Sequence, residues 1–105
     1  MLNIDEASFV DYDKEAATTH YGWECNNTVV IDNGYTVIIS GINVWEDDDG
    51  DVTSIAVYYF WEDDDELVLY DDDAFCEAVS ELLGYLVQFT EMGEQDVGVA
   101  SMELA

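Results

Sequence analysis

Apolar and polar positions alternate most clearly in "TVVIDNGYTVIISG", residues 28 to 41. Two β-branched runs flank Asn33-Gly34, a pair that accepts the positive φ angles of a two-residue type I′ turn. This predicts strands near 28–32 and 35–45. A second hairpin turns through "EDDDGD" (46–51), where Gly50 is the permissive position, into a strand near 52–61. The "EDDD" at 62–65 predicts a third turn and a short strand at 66–70.

The period then changes. Phe75, Val79, Leu82, Leu83 and Leu86 fall at i, i+4, i+7, i+8 and i+11, the stripe of an amphipathic helix. Asp71, Asp72 and Asp73 stand just before it, where carboxylates cap free N–H groups and face the positive end of the dipole. With Gly93 as the stop, the helix is expected near 72–90. Residues 1–25 hold a strand or a short helix, and 96–105 a final strand or a tail. The expected fold is a single α+β domain over 1–105, an antiparallel β-meander of about four strands with one helix packed on one face.

Alternate turns of a meander share an end. The 46–51 turn and the 71–73 segment are therefore expected together, with the 62–66 run and Asp32 at the other end. Consecutive strand residues point to opposite faces. Tyr58 and Phe60 thus share one face and Tyr59 and Trp61 the other, and the face away from the helix is expected to expose an aromatic such as Tyr59 or Trp61.

Composition sharpens the picture. Half the residues are hydrophobic, which separates the chain from disordered acidic sequences. Yet 26 acidic residues face one basic residue, Lys14, for a formal net charge of −25. Small domains normally carry a net charge of about 2–8 in magnitude. Arginine is absent, so no bidentate clamp on phosphate is present. Direct binding of nucleic acid or of an anionic membrane by this surface is excluded on charge. Residues 1–10 have neither a basic nor an apolar leader segment, and the longest apolar run, 55–61, is far short of the ~20 residues of a span. A cytoplasmic protein is expected. Cys25 and Cys76 match no metal spacing and read as buried thiols.

Recognisable chemistry is sparse. Aligning Gly50 with the glycine of a calcium loop puts Trp45 and Ala56 at the two anchoring ligand positions, so the EF-hand reading fails. Clustered carboxylates still attract calcium or magnesium loosely, without a designed site. No nucleophile motif or phosphate loop occurs. The lone His20 stands beside Tyr21 and Trp23 and reads as a packing or surface residue. No cofactor and no enzymatic activity are expected.

Solubility alone does not require the near-elimination of Lys and Arg, because net charge this large destabilises the compact state. A fold carrying rows of carboxylates does match the field of a duplex, which bears one charge per ~1.7 Å of axis. With "EDDDGD", "EDDDE" and "DDD" runs in a folded context, the chain resembles the DNA-mimic proteins of phages and mobile elements. These are small acidic inhibitors of restriction enzymes, CRISPR effectors, uracil-DNA glycosylase and nucleoid proteins. The resemblance is one of size and composition. It implies an inhibitor in the host cytoplasm that fills the DNA-binding groove of a basic host defence protein, of restriction-modification or CRISPR type. Such mimics are often homodimers. The expected contact residues are Glu46, Asp47, Asp48, Asp49 and Asp51; Glu62, Asp63, Asp64, Asp65 and Glu66; and Asp71, Asp72 and Asp73. Two other readings stand beside it: a halophilic domain whose acidity answers molar salt, and a weak calcium- or magnesium-binding module.

Overall fold

A computed structural model describes residues 1–32, 34–62, 72–90 and 98–105. A 3-10 turn (Ile4–Glu6) precedes β1 (Phe9–Asp13), β2 (Thr18–Val30), β3 (Thr36–Asp47) and β4 (Val52–Trp61). Helix α1 (Asp73–Leu83), β5 (Val87–Phe89) and β6 (Val99–Leu104) complete the chain. The fold is an antiparallel sheet with one helix, but the sheet has six strands among the described residues, in the order β1-β2-β3-β4-β6-β5. β2, β3 and β4 form the first three strands of the expected meander, with β1 added before them. β6 then pairs antiparallel with both β4 and β5, so β5 runs in the direction of β4 with β6 inserted between them. Three strands lie outside the expected four: β1 from 1–25, β6 from 96–105, and β5 from the end of the segment expected to be helix. The strand expected at 66–70 lies outside the described residues, as does Asn33; Gly34 takes φ +89° beside it.

One face of the sheet carries the core. Val37, Ile39, Ile42 and Val44 of β3 are buried beside Ile55, Val57, Tyr59 and Trp61 of β4. The three-residue step from Ile39 to Ile42 would break strict alternation. A bulge between Ile39 and Gly41 absorbs the extra residue and returns Ile42 to the inner face. Phe75, Val79 and Leu83 of α1 close the core from above. Phe75 lies 5.7 Å from both Tyr59 and Phe89, measured between ring centroids.

This packing reverses the expected exposure of the β4 aromatics. Tyr59 and Trp61 have the parity of Ile55 and Val57 and turn inward, whereas Tyr58 and Phe60 are 40% and 50% exposed on the open face. Alternation gave the pairs; the side covered by the helix decides which pair is buried.

The helix is shorter than the 72–90 expected. It ends at Leu83 because Gly84 adopts the left-handed conformation (φ +83°) and donates its N–H to Ser80 O at 2.8 Å. Leu86, taken as the end of the helical stripe, is instead 73% exposed. Among the described residues no helix is long and apolar enough to cross a membrane.

Candidate partner interface

The β3–β4 hairpin holds the first acidic run. Strand pairing continues to Asp47, and Gly50 (φ +82°) closes the turn. Asp47 Oδ1 accepts the N–H groups of Asp49 and Asp51 at 3.0 and 2.9 Å. Its carboxylate therefore shapes the loop, as Asx turns do. Asp48 is exposed and accepts a 2.9 Å bond from the Tyr12 hydroxyl of β1. Glu46 is half-buried on the helix side, where it accepts a 2.8 Å bond from the Tyr21 hydroxyl. Only Asp49 and Asp51 of this run are exposed and make no bond through their carboxylates to the rest of the described fold.

These contacts perturb the phenols. Burial, then the hydrogen bond to Glu46 and its charge, push the Tyr21 hydroxyl far above the ordinary tyrosine range. Tyr85 rises through burial and the Glu46 charge, and Tyr12 chiefly through its bond to Asp48. Burial also raises the Cys25 thiol.

The second and third runs are placed differently from expectation. Glu62 is exposed at the far end of β4, and its N–H bonds Thr36 O. Asp63, Asp64, Asp65, Glu66 and Asp71 lie outside the described residues. Asp72 is buried, 7% exposed, and is the N-cap of α1: its Oδ1 accepts from Phe75 N–H at 3.0 Å and its Oδ2 from Asp32 N–H at 3.1 Å. The capping role expected from sequence holds. The shared end does not, because the bond to Asp32 puts Asp72 opposite the 46–51 turn. Asp72 is also a poor contact residue, since its carboxylate faces inward. Asp73 is exposed.

From that far end α1 runs back toward the hairpin, where Tyr85 feels the Glu46 charge. Asp73, Glu77 and Glu81 recur at four-residue steps on its exposed side, a row that joins the two ends of the molecule. The spacing was readable from sequence beside the apolar stripe. The β1–β2 turn adds Asp11, Asp13 and Glu15, all exposed, next to the hairpin, through the register Asp13–Thr18–Asp47. Their position depends on β1, which alternation did not reveal. Asp13 Oδ1 accepts from Glu15 and Ala16 N–H groups at 3.0 and 3.2 Å and so folds that turn.

Carboxylate oxygens of Asp47, Asp49 and Asp51 can lie within 4.8 Å of one another. One of the Asp47 oxygens is already used by two backbone N–H groups, so the cluster is explained by the turn itself. His20 packs as a side chain of the open face: its ring stacks on Trp45 (centroids 4.2 Å apart, planes within 8°) and meets Phe9 edge-on at 4.9 Å.

Comparison with protein-family models, with curated protein sequences and with solved structures finds no match.

Proposed function

We propose that this protein is a non-enzymatic inhibitor that imitates the charge of DNA and occupies the basic groove of a DNA-binding protein, of the kind that defends a bacterial host. The observation that carries the reading is where the charge stands. A chain of −25 fixes its exposed carboxylates on a hydrogen-bonded frame: the 46–51 hairpin, the β1–β2 turn and the outer side of α1. Carboxylates at four-residue steps on α1 recur every ~6 Å, close to the ~6.8 Å of two nucleotide steps along one strand. Alternate residues of β1 give a similar ~6.7 Å. A partner that releases counterions on binding DNA releases them equally on binding such a surface. Because hydrogen-bonded turns and a helix hold these carboxylates in place, less ordering entropy opposes the complex than for a flexible acidic tail.

The contact set differs from that read from sequence. Asp72 leaves it as a structural residue; Asp11, Asp13, Glu15, Glu77 and Glu81 join it. The remaining members of the 62–66 and 71–73 runs are retained on charge alone.

Immobilised protein exposed to bacterial lysate, then eluted separately with duplex DNA and with salt, tests the reading. A discrete DNA-processing protein released by DNA is the expected outcome. Retention of only a salt-sensitive mixture of basic proteins, indifferent to DNA, would overturn it.

A further inference from the structure

The outer edge of β2 changes character half-way along. β1 covers it only from Thr18 to Gly22, and the Ser8 hydroxyl accepts the Glu24 N–H at 3.0 Å. Beyond a bulge between Glu24 and Asn27 the strand runs on to Val30 beside β3 alone. The end of that stretch fixes its hydrogen-bond parity. Ile31 donates its N–H to Tyr35 O at 2.9 Å, and bonded pairs alternate with unbonded ones in an antiparallel ladder. Register carries the bonded set to Val29–Val37 and Asn27–Ile39. Thr28 and Val30 therefore turn their N–H and C=O groups outward, where no strand among the described residues pairs with them. Their side chains are exposed, while those of Val29 and Ile31 are buried.

Sheet edges are normally blunted by charge, proline or a bulge. β1 carries Asp11 and Asp13, but residues 25–31, "CNNTVVI", hold no charge, and the ladder is regular from Asn27 to Val30. Charge stands instead at the two ends of this stretch, on the exposed Glu24 and Asp32. We infer that this bare edge takes up an extended cationic segment of a partner as a further strand. Strand addition uses outward N–H and C=O groups at alternate residues, which Thr28 and Val30 supply. The acidic ends choose the occupant. A second copy paired antiparallel about Thr28 would bring Glu24 of each chain toward Asp32 of the other, in a pair carrying −25 apiece. Like charges opposed across strands are destabilising. A segment with Lys or Arg near both ends makes both contacts attractive. Its middle should be β-branched or apolar, because Thr28 begins a row on the open face that continues through half-buried Ile38 to half-exposed Phe60. Strand addition fixes one register, as a charge array does not, and it requires a basic partner but not a DNA-binding one.

The peptide KTVTVTK, blocked at both termini, tests the edge in the native chain, with amide hydrogen exchange at Thr28 and Val30 as the readout. The same peptide N-methylated at each threonine and valine keeps the charge and loses the backbone donors. In the free protein the Thr28 and Val30 amides should exchange fast and that of Val29 slowly. Saturating KTVTVTK should slow Thr28 and Val30 by about tenfold or more, and the methylated peptide should not. Glu24→Gln with Asp32→Asn should weaken KTVTVTK binding and leave the exchange pattern of the free protein as it was. No protection by millimolar KTVTVTK, equal protection by the methylated peptide, or Thr28 and Val30 amides already slow in the free protein would each overturn the assignment. So would protection that grows with protein concentration alone, which would give the edge to a second copy. The lysate experiment fails independently. If no DNA-released target exists but KTVTVTK protects these amides, mimicry falls and the edge stands. If a DNA-released target binds and leaves them fast, the edge falls and mimicry stands.

Discussion

The Tyr21 hydroxyl donates a 2.8 Å hydrogen bond to the Glu46 carboxylate, joining the buried face of β2 to the base of the acidic hairpin. Tyr21→Phe deletes the donor and leaves a half-buried carboxylate less well solvated, a loss of about 1 kcal/mol. Chemical denaturation should show the midpoint fall with the slope unchanged. The same bond sets a pH limit. The folded-state pKa of Tyr21 is raised above its unfolded value, so its contribution is whole below about pH 10 and declines as pH climbs toward the folded value. Phenolate absorbance followed through an alkaline titration should reveal tyrosines that ionise late, and Tyr21→Phe should remove one of them. A titration in which every tyrosine ionises normally in the folded protein would contradict this account.

Adjacent aspartates before α1 should behave oppositely. Asp72 caps Phe75 N–H and binds Asp32 N–H, so Asp72→Ala should cost about 1–2 kcal/mol, a drop in Tm of roughly 5–10 °C. Asp73 is exposed, and Asp73→Asn trades a small dipole contribution against relief of like-charge repulsion. Its Tm should stay within about 2 °C of the native value, a shift small against ~4–8 °C per kcal/mol. Equal destabilisation by both would remove the distinction between the cap and its neighbour.

Gly22 is a packing requirement in the centre of β2. A Cβ there would stand 2.1 Å from Asn43 Oδ1 and 2.8 Å from Ile42 O, with Phe9 at 3.0 Å above. Gly22→Ala should therefore destabilise by about 1–3 kcal/mol, the range for overpacking, despite the better strand propensity of alanine. Thermal melts decide it, and an unchanged Tm would show that β2 and β3 are less closely apposed than described.

Neutralising the hairpin should separate binding from stability. Asp48→Asn, Asp49→Asn and Asp51→Asn together leave Asp47 in place to fold the turn. The triple variant should be at least as stable as the native chain and bind the captured target more weakly. Binding that is unchanged while stability falls would assign these carboxylates to the fold instead.

Salt provides a check against the halophile alternative. Screening shortens the Debye length to ~3 Å at 1 M, so Tm should rise with KCl in either case. A mimic stays folded in 0.1 M KCl, where a salt-dependent domain unfolds; circular dichroism at the two ends of the series distinguishes them.

Much of the frame was legible because strand alternation and turn chemistry are local. β3, β4, the Gly50 turn and the start of α1 follow from a few neighbouring residues each. The parity of Tyr58 and Tyr59 was equally clear, but which of them faces the core depends on where the helix lies, a tertiary fact. β1 was hidden because "FVDYD" sits on an edge with four of its five residues exposed, so burial imposed no pattern on it. The helix end was misplaced because the apolar stripe continued to Leu86 and Gly93 was taken as the stop, whereas the left-handed turn at Gly84 ends the helix earlier. The acidic site was visible as charge but not as geometry. Asp72 and Asp73 are identical letters, and only the capping bonds separate a buried structural carboxylate from a solvated one.

The insertion of β6 between β4 and β5 makes the last strand a keystone. Ile55 pairs with Met102, 47 positions further along the chain, so closing the sheet depends on a contact of long sequence separation. Until it happens β4 and β5 each present a bare edge, the condition under which chains commonly join edge to edge and aggregate. In this molecule the incomplete form repels its own copies. The charge that suits a basic partner also protects the chain while it waits for its final strand.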